Sequence, residues 1–563
     1  MNRLVSRVCS SVSMPRVALG ALVLGAVIVV GSASGAGDRT SASSNVLIMS
    51  PTTRNAVVQN YNPYSSTSAL GSNGLGIDSL IYEPLLQFNL VKPKVYYWLA
   101  TKYAWGNGGK QLTFTIRKGV QWSDGTSLTP ADVAFTYDLV KKYADINTSG
   151  LEISSVKSGA DTVTLTFPAP QYQRLQVIAN VPILPQAEWS KAGDPALYVD
   201  SNPVGTGPFL PNTFTPQEIT LKKNPTYWQP GEPKVDEVDV PIYSSDTALQ
   251  EALSSDQVDW AGDFIPGVQK IYVDKSPNHH FWGAPIYTID LVPNLDTWPT
   301  SILAVRQAIS LAIDRNALST EAESGQDPPL LDAAGLVDPL RAYLAPSAAD
   351  AALNHNVSEA KSVLEKAGFT MGKNGFFQDP TGKELSLQIT DPSAFADWVT
   401  AGSILVQNLK AAGINASFQG LSVSGFVGNL SSGNFQLAQW FGTTSPGVNP
   451  YSLYNNLFNS TLTAPVGKSA SGNYERFRSP VADKALKLFA QAGTQAQAVK
   501  ALAPLESLIA TELPVIPTVQ EVTFDEYNDK NFTGWPSAAN PYEEGNPSGI
   551  TNEVVILHLK PKS

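Results

Sequence analysis

The chain has 563 residues, of which 43% are hydrophobic and 15% charged, and its formal net charge is −11. A single hydrophobic core stops growing near about 250–300 residues, so this length predicts two or three domains. The ordinary apolar content excludes a disordered chain, and the acidic balance excludes the basic surface that nucleic acids require.

Residues 1–37 have the pattern of a signal segment. Three arginines precede an apolar run at 17–30, and the small residues "GSASGAG" follow that run. This is the order found in secretory signals, and the run is short for a membrane-spanning helix. We therefore expect export to the periplasm or to the outer face of the cytoplasmic membrane. Retention of the segment as an uncleaved anchor is the alternative.

The first half of the chain beyond a linker at 38–44 alternates strands with a helix. "NVLIMS" predicts a short buried strand, and "QLTFTIRKG" at 111–119 alternates apolar and polar residues as a half-buried strand does. Thr129 is followed by a proline and then by Asp132, which predicts the capped start of a helix. "DTVTLTF" at 161–167 alternates again and predicts a further strand.

The second half of the chain contains three predicted helices. The first covers 301–318, and the second covers 356–369 with a stop at Gly368. The third lies in the segment 401–419: its helix ends at Gly413, and the rest of the segment enters a strand. Strands and helices thus alternate on both sides of residue 300. This pattern predicts an α/β protein whose lobes are each built around their own sheet.

No motif for catalysis or metal binding is found. The only cysteine, Cys9, lies in the signal segment, which excludes disulfides and cysteine metal sites from the mature chain. "APVGKS" at 464–469 lacks the first glycine of a phosphate-binding loop, because Leu462 stands there. The four histidines are isolated or, for His279 and His280, adjacent with side chains on opposite faces. We expect no cofactor, no metal and no enzymatic activity. An exported hydrolase with two distant carboxylates remains open, because such a pair leaves no local signature.

An uncharged segment is the most unusual feature. No Lys, Arg, Asp or Glu occurs at 411–467, and within it 435–454 reads "FQLAQWFGTTSPGVNPYSLY". Aromatic faces with neutral amides and hydroxyls suit a polar, uncharged ligand. A buried sheet with Ser/Gly loops would give the same composition, so both interpretations stand.

Five segments, in order, resemble the extracytoplasmic solute-binding proteins of ABC importers, family 5, which bind oligopeptides, dipeptides or nickel. They begin with "LTFTIRKGVQWSDGTSLTPADVAFTYDLV" and continue with "NPVGTGPF…NPTYW", "AVRQAISLAIDRNAL", "EAKSVLEKAGF" and "LPVIPTV" (112–140, 202–228, 304–318, 359–369 and 513–519). The resemblance implies a two-lobe periplasmic-binding-protein-like (type II) fold with an additional domain inserted in the first lobe. It assigns residues 45–85, 200–290 and 515–563 to lobe one. The inserted domain takes residues 86–199, and lobe two takes residues 295–514.

The resemblance also bears on the ligand. Peptide binders of this family carry an aspartate in the second-lobe cleft segment that holds the ammonium group of the peptide, and the corresponding run at 435–454 has no carboxylate. The run "VDWAGDFIPGVQKIYV" at 258–273 is similar to the cellobiose-binding subset of the family. We therefore expect an oligosaccharide to be captured and delivered to a membrane permease by a monomeric protein. A short peptide is the alternative, and a sensor or adhesion module without transport is a further one.

The predicted ligand-binding residues come from both lobes. Trp260 and Trp282 are expected as stacking platforms or, alternatively, as packing residues. The others are expected to provide ring faces and neutral hydrogen bonds in the cleft: Tyr61, Asn62, Trp440, Thr443, Asn449 and Tyr451.

Overall fold

A computed structural model describes residues 45–71, 74–349, 351–443, 446–549 and 551–562. The predicted signal segment and linker lie outside these residues. In the part of the chain that the structure describes, no helix combines the length and the apolar character needed to cross a bilayer.

The first large sheet has seven strands and forms the core of what we call lobe one. In spatial order they are His279–Phe281, Glu526–Asn528, Trp260–Ala261, Val46–Ser50, Glu237–Pro241, Glu218–Lys223 and Phe209–Thr215. The central strand Val46–Ser50 pairs in parallel with both neighbours, and the remaining pairs are antiparallel. Leu47 and Met49 of this strand are fully buried, which confirms the buried strand predicted from "NVLIMS".

A four-stranded antiparallel sheet forms the core of what we call the inserted domain. In spatial order its strands are Ala100–Gly106, Gln111–Ile116, Thr162–Thr166 and Ser155–Ser158. The alternation in Gln111–Ile116 is confirmed, because Leu112, Phe114 and Ile116 are buried. A helix begins at Pro130, where Thr129 and Asp132 form the predicted capping box.

A five-stranded mixed sheet forms the core of what we call lobe two. In spatial order its strands are Asn415–Leu421, Ser386–Pro392, Leu437–Phe441, Pro285–Pro293 and Ile516–Val522. Ser386–Pro392 pairs in parallel with both neighbours, and the other pairs are antiparallel. Helices cover this sheet, and those at Pro480–Ala490 and Gln495–Glu512 pack together against Tyr451–Phe458 in a separate apolar cluster.

Three short strand pairs and the helices complete the described fold. Three two-stranded pairs complete the strands: Leu86–Asn89 with Lys94–Tyr97, Thr370–Met371 with Phe377–Gln378, and Phe532–Thr533 with Lys560–Pro561. Within the described residues, the α-helices are Pro130–Lys142, Leu175–Ala179, Gln186–Trp189, Asp246–Ser254, Val268–Ile271, Leu303–Ala312, Arg315–Ala317, Val357–Lys366, Ala396–Ala411, Val423–Ser432, Tyr451–Phe458, Pro480–Ala490, Gln495–Glu512 and Asn552–His558.

The predicted single helix at 301–318 is wrong, because the structure divides it. The helix Leu303–Ala312 ends where Ile313 adopts an extended conformation. Asp314 then caps a new turn by accepting hydrogen bonds from Asn316 N and Ala317 N. A side-chain cap inside an apolar pattern interrupts the helix without changing the spacing of its apolar residues, so the pattern alone does not reveal it.

The chain crosses between lobe one and lobe two through two adjacent segments, 282–284 and 523–525. Thr523 N donates to Ala284 O at 2.9 Å, and Trp282 N donates to Asp525 O at 3.1 Å. The two crossings therefore form one hydrogen-bonded connection. The strands before and after them also place 285–290 and 516–522 in the sheet of lobe two, whereas the predicted boundaries assign them to lobe one. The other domain boundaries remain predictions.

Candidate functional site

A cavity of about 490 Å³ lies where lobe one, the inserted domain and lobe two meet. Lobe one lines it with residues of 63–78 and 546–549, the inserted domain with residues of 140–182, and lobe two with Tyr287, Pro446 and Ser452. The volume is within the range of about 300–1,000 Å³ that is usual for small-molecule sites. A ligand here would contact lobe one, the inserted domain and lobe two.

The described lining is largely neutral and polar, with one apolar side. Its amides and hydroxyls are Asn147, Thr148, Ser149, Gln176, Asn180, Ser452, Asn546 and Ser548. The inserted domain provides an aliphatic wall that consists of Val140, Ile146, Leu151, Val177 and Val181. Tyr64 and Tyr287 are the aromatic members of the described lining, and it contains no tryptophan.

Tyr64 is held at the cavity by the loop that contains two of the predicted residues, Tyr61 and Asn62. Asn62 Nδ2 donates to Pro195 O and to Tyr198 O, both at 2.7 Å, and Asn62 Oδ1 accepts from Tyr64 N at 2.8 Å. Tyr64 OH donates to Pro182 O at 2.9 Å. Asn62 is fully buried, so its amide fixes the loop, while the neighbouring Tyr64 lines the cavity.

Asp78 is the one charged side chain in the described lining. It begins a short 3-10 helix, Asp78–Leu80, directly after Gly76, whose φ is +68°, and Ile77. The Asp78 carboxylate is half-buried. Burial raises its pKa to about 7, and a hydrogen bond from its own backbone N–H opposes that shift. The carboxylate therefore changes charge close to neutral pH.

The predicted residues of lobe one are not part of the described lining of the cavity. Tyr61 is buried in the lobe-one core. Trp260 is completely buried, its Nε1 donates to Asp525 Oδ1 at 2.7 Å, and its ring meets Trp535 edge-on at 5.5 Å. Trp282 is half-buried against the core of the inserted domain. Their burial explains why aromatic side chains in loop-like sequence need not be exposed.

The predicted residues of lobe two are divided between core and contacts. Trp440 is 7% exposed and packs against Phe426, Phe441 and Tyr474. Thr443 and Asn449 line a second, much smaller space of about 10 Å³. The contact of any of the eight predicted residues with a ligand remains a prediction.

The uncharged segment contributes a contact between lobe two and the inserted domain. Val448 N donates to Gln176 Oε1 at 2.8 Å, and Asn449 Nδ2 donates to Gln173 O at 3.0 Å. The guanidinium of Arg174 lies 5.5 Å from the centre of the Tyr451 ring. Part of the segment therefore closes one side of the cavity with neutral groups, and another part is the buried strand Leu437–Phe441.

Comparison with known proteins identifies the family. Residues 94–465 match the sequence profile "Bacterial extracellular solute-binding proteins, family 5 Middle". The chain belongs to this family. Its members are binding proteins, not enzymes, and are periplasmic or extracellular. The two-lobe type II fold with an inserted domain agrees with this membership.

Several proteins are similar to this solute-binding protein in sequence or in structure. Protein XP55 of Streptomyces lividans is 26% identical over 55% of this chain, which spans 56% of that relative. The periplasmic oligopeptide-binding protein OppA of Salmonella typhimurium is 23% identical over 72% of this chain and 76% of its own. A periplasmic oligopeptide-binding protein of Thermotoga maritima, solved with mannohexaose bound, is 25% identical with a TM-score of 0.79, covering 93% of this chain and 100% of its own.

Proposed function

We propose that this solute-binding protein captures a short peptide in the cavity between its lobes and delivers it to the permease of an ABC importer. The cavity has walls from lobe one, lobe two and the inserted domain, so a ligand that touches all three would bind the closed arrangement best. Such a ligand shifts an existing equilibrium between open and closed forms toward the closed one.

The composition of the described lining is the main support for a peptide: an aliphatic wall lies next to amides and hydroxyls, and no tryptophan is present among the described lining residues. A peptide presents backbone amides and aliphatic side chains together, and this lining complements both. A neutral sugar would gain more from ring faces, yet Trp260 and Trp440 are packed in the cores of their lobes. The described lining therefore favours a peptide over the oligosaccharide that the sequence predicts.

An oligosaccharide is the second candidate. It is favoured by the Thermotoga maritima relative, whose structure contains mannohexaose, and by the low charge of the described lining. The relatives described as peptide-binding, among them OppA and a probable peptide-binding protein YejA of Agrobacterium fabrum, favour the peptide.

A thermal-shift and calorimetry panel distinguishes the two candidates. Di-, tri- and pentapeptides of alanine, valine and leucine are compared with mannohexaose and cello-oligosaccharides. A ligand at a hundred times its dissociation constant stabilises the folded state by about 2.7 kcal/mol. We expect stabilisation by peptides, and recovery of intact peptide would exclude the hydrolase alternative. Stabilisation by mannohexaose and by no peptide would overturn the proposal.

A pair of valine variants tests whether the aliphatic wall takes part. Val181→Ala removes volume from the wall, so we expect weaker binding of peptides with large side chains and little change for trialanine. Val481→Ala is the matched control, because Val481 is 47% exposed on the helix Pro480–Ala490 and does not line the cavity. Equal effects of the two substitutions would argue against a ligand at this wall.

A further inference from the structure

The Asp78 carboxylate has no cationic partner in the part of the chain that the structure describes. It accepts a hydrogen bond from its own backbone N–H. No lysine, arginine or histidine is among the described lining residues of the cavity. The nearby Tyr64 phenol does not supply a proton to it, because that hydroxyl donates to Pro182 O. A half-buried carboxylate in this position therefore lacks the compensation that such groups usually receive.

A second acceptor in the same cavity also lacks a donor. The Asn180 side chain lines the cavity from the inserted domain, and its Oδ1 is buried without a hydrogen-bond partner among the described residues. A buried acceptor that has no donor costs free energy until a ligand or a water molecule provides one. The described lining thus combines one negative charge and one unsatisfied amide oxygen, with no cationic side chain.

A primary ammonium group satisfies this combination. It has three N–H donors and one positive charge, and hydrogen bonds to a carboxylate are stronger when both partners are ionised. A neutral hydroxyl would donate to one acceptor and would leave the negative charge uncompensated. The observed chemistry of the cavity therefore selects for an amine.

We propose that Asp78 is the residue that anchors a primary ammonium group of the solute and so determines specificity, with Asn180 Oδ1 as a second acceptor. The inference rests on the proposed function, because the ammonium group is one end of the proposed peptide ligand. The anchor stands in lobe one, whereas the second-lobe run at 435–454 has no carboxylate. The absence of an aspartate there therefore does not exclude an amine-bearing solute.

The test compares tripeptides of alanine, valine and leucine with their N-acetylated forms by calorimetry on the wild-type protein. We expect acetylation to weaken binding at least tenfold. A further arm uses an N-acetylated tripeptide that contains lysine, which binds tightly only if a side-chain amine can reach the anchor. Because this contrast needs no substitution, a folding defect in a variant does not leave the inference undecided.

Two variants complete the test. Asp78→Asn keeps the shape and removes the charge, so we expect it to weaken binding of free-amine tripeptides at least tenfold and to leave binding of the acetylated forms unchanged. Asp263→Asn is the matched control: it is also a half-buried carboxyl of lobe one whose pKa burial raises, to about 6, and it does not line the cavity. We expect no change from it.

The outcomes separate this inference from the proposed function. If tripeptides bind but acetylation and Asp78→Asn have no effect, the anchor is wrong and the peptide function stands. If no tripeptide binds, or mannohexaose alone does, the proposed function fails and the inference fails with it.

Discussion

At the residue scale, the distinction between a side chain that binds a ligand and one that supports the site depends on where its polar atoms are already committed. Asn62 donates to Pro195 O and accepts from Tyr64 N, so both ends of its amide have partners. Trp260 has one side-chain donor, which Asp525 Oδ1 and Gly545 O share. Asp78 has no such commitment to another side chain. The sequence predicts Asn62 and Trp260 as ligand-binding residues and does not single out Asp78, because the hydrogen-bond partners that distinguish the three side chains come from distant parts of the chain.

The charge state of Asp78 makes binding of an amine dependent on pH. Its pKa in the free protein is about 7, and Tyr64 and Tyr287, the other titratable members of the described lining, have pKa values that burial raises well above the neutral range. Protonation of Asp78 removes the charge that attracts the ammonium. The ionised fraction of Asp78 falls about thirtyfold between pH 8 and pH 5.5, while the ammonium fraction of a tripeptide whose α-amino pKa is about 8 doubles. We therefore expect the affinity for free-amine tripeptides to fall about fifteenfold.

Calorimetry at the two pH values measures this change. Asp78→Asn and the N-acetylated tripeptides are the controls, and both should show little dependence on pH. An equal fall for free-amine and acetylated peptides would assign the effect to another group.

At the scale of elements, the turn that carries Asp78 is positioned by a close approach of two backbone segments. A Cβ built on Gly205 would lie 2.0 Å from Ile81 O, and one built on Gly207 would lie 2.3 Å from Leu80 O. Gly207 N donates to Ile81 O at 2.9 Å. The "GTGP" sequence at 205–208 therefore needs glycine for contact with the residues that immediately follow Asp78.

Gly207→Ala tests this packing. The methyl group meets a backbone carbonyl that cannot rotate away, so we expect the free energy of unfolding to fall by about 1–3 kcal/mol, as in other overpacked sites. Gly428→Ala is the control, since Gly428 lies in the helix Val423–Ser432 with no atom within 4 Å of an added Cβ. It should raise stability by about 0.5–1 kcal/mol. Urea unfolding measures both, and equal effects would contradict the argument.

Local patterns were sufficient for several of the predicted elements, and particular residues show where they were not. The alternation at Gln111–Ile116 and the capping box at Thr129 are properties of adjacent residues, and both are confirmed. The interruption at Asp314 depends on a side chain that bonds to its own backbone neighbourhood. The cavity is assembled from segments more than 400 residues apart, such as those with Asp78 and Asn546, and no local pattern records their proximity.

At the scale of the whole molecule, many carboxyl groups are buried and have pKa values that burial raises. They are Glu83, Asp200, Asp259, Asp290, Glu323, Asp327, Asp391, Glu475, Glu506, Asp525, Glu526, Glu543, Glu544 and Glu553. Burial raises the pKa to about 6 for Asp200 and to about 7 for Asp391 and Glu506. The folded state therefore holds protons that the unfolded state releases at lower pH.

This difference predicts a protein that is more stable in mild acid than at neutral pH. The buried carboxyl groups contribute fully to stability below their pKa in the unfolded chain, which is about 4. That contribution is lost as the pH rises through their pKa values in the folded protein, which are about 6–7 for Asp200 and Asp391. We expect the melting temperature to be higher at pH 4.5 than at pH 7.5, measured at constant ionic strength. Glu506→Gln, which removes one of these protons, should reduce the slope. A melting temperature that rises toward pH 7.5 would contradict the prediction.

The contact between the uncharged segment and the inserted domain has a consequence for how long a solute stays bound. Val448 is hydrogen-bonded to Gln176, which lines the cavity, and Asn449 to Gln173, so lobe two separates from the inserted domain at this side only when those bonds break. Affinity differences between closely related complexes arise mostly in the dissociation rate. Asn449→Ala should accordingly shorten the residence time of a bound tripeptide in stopped-flow measurements while its association rate stays nearly constant. Retention kinetics would then be tuned by neutral residues that need not touch the cargo.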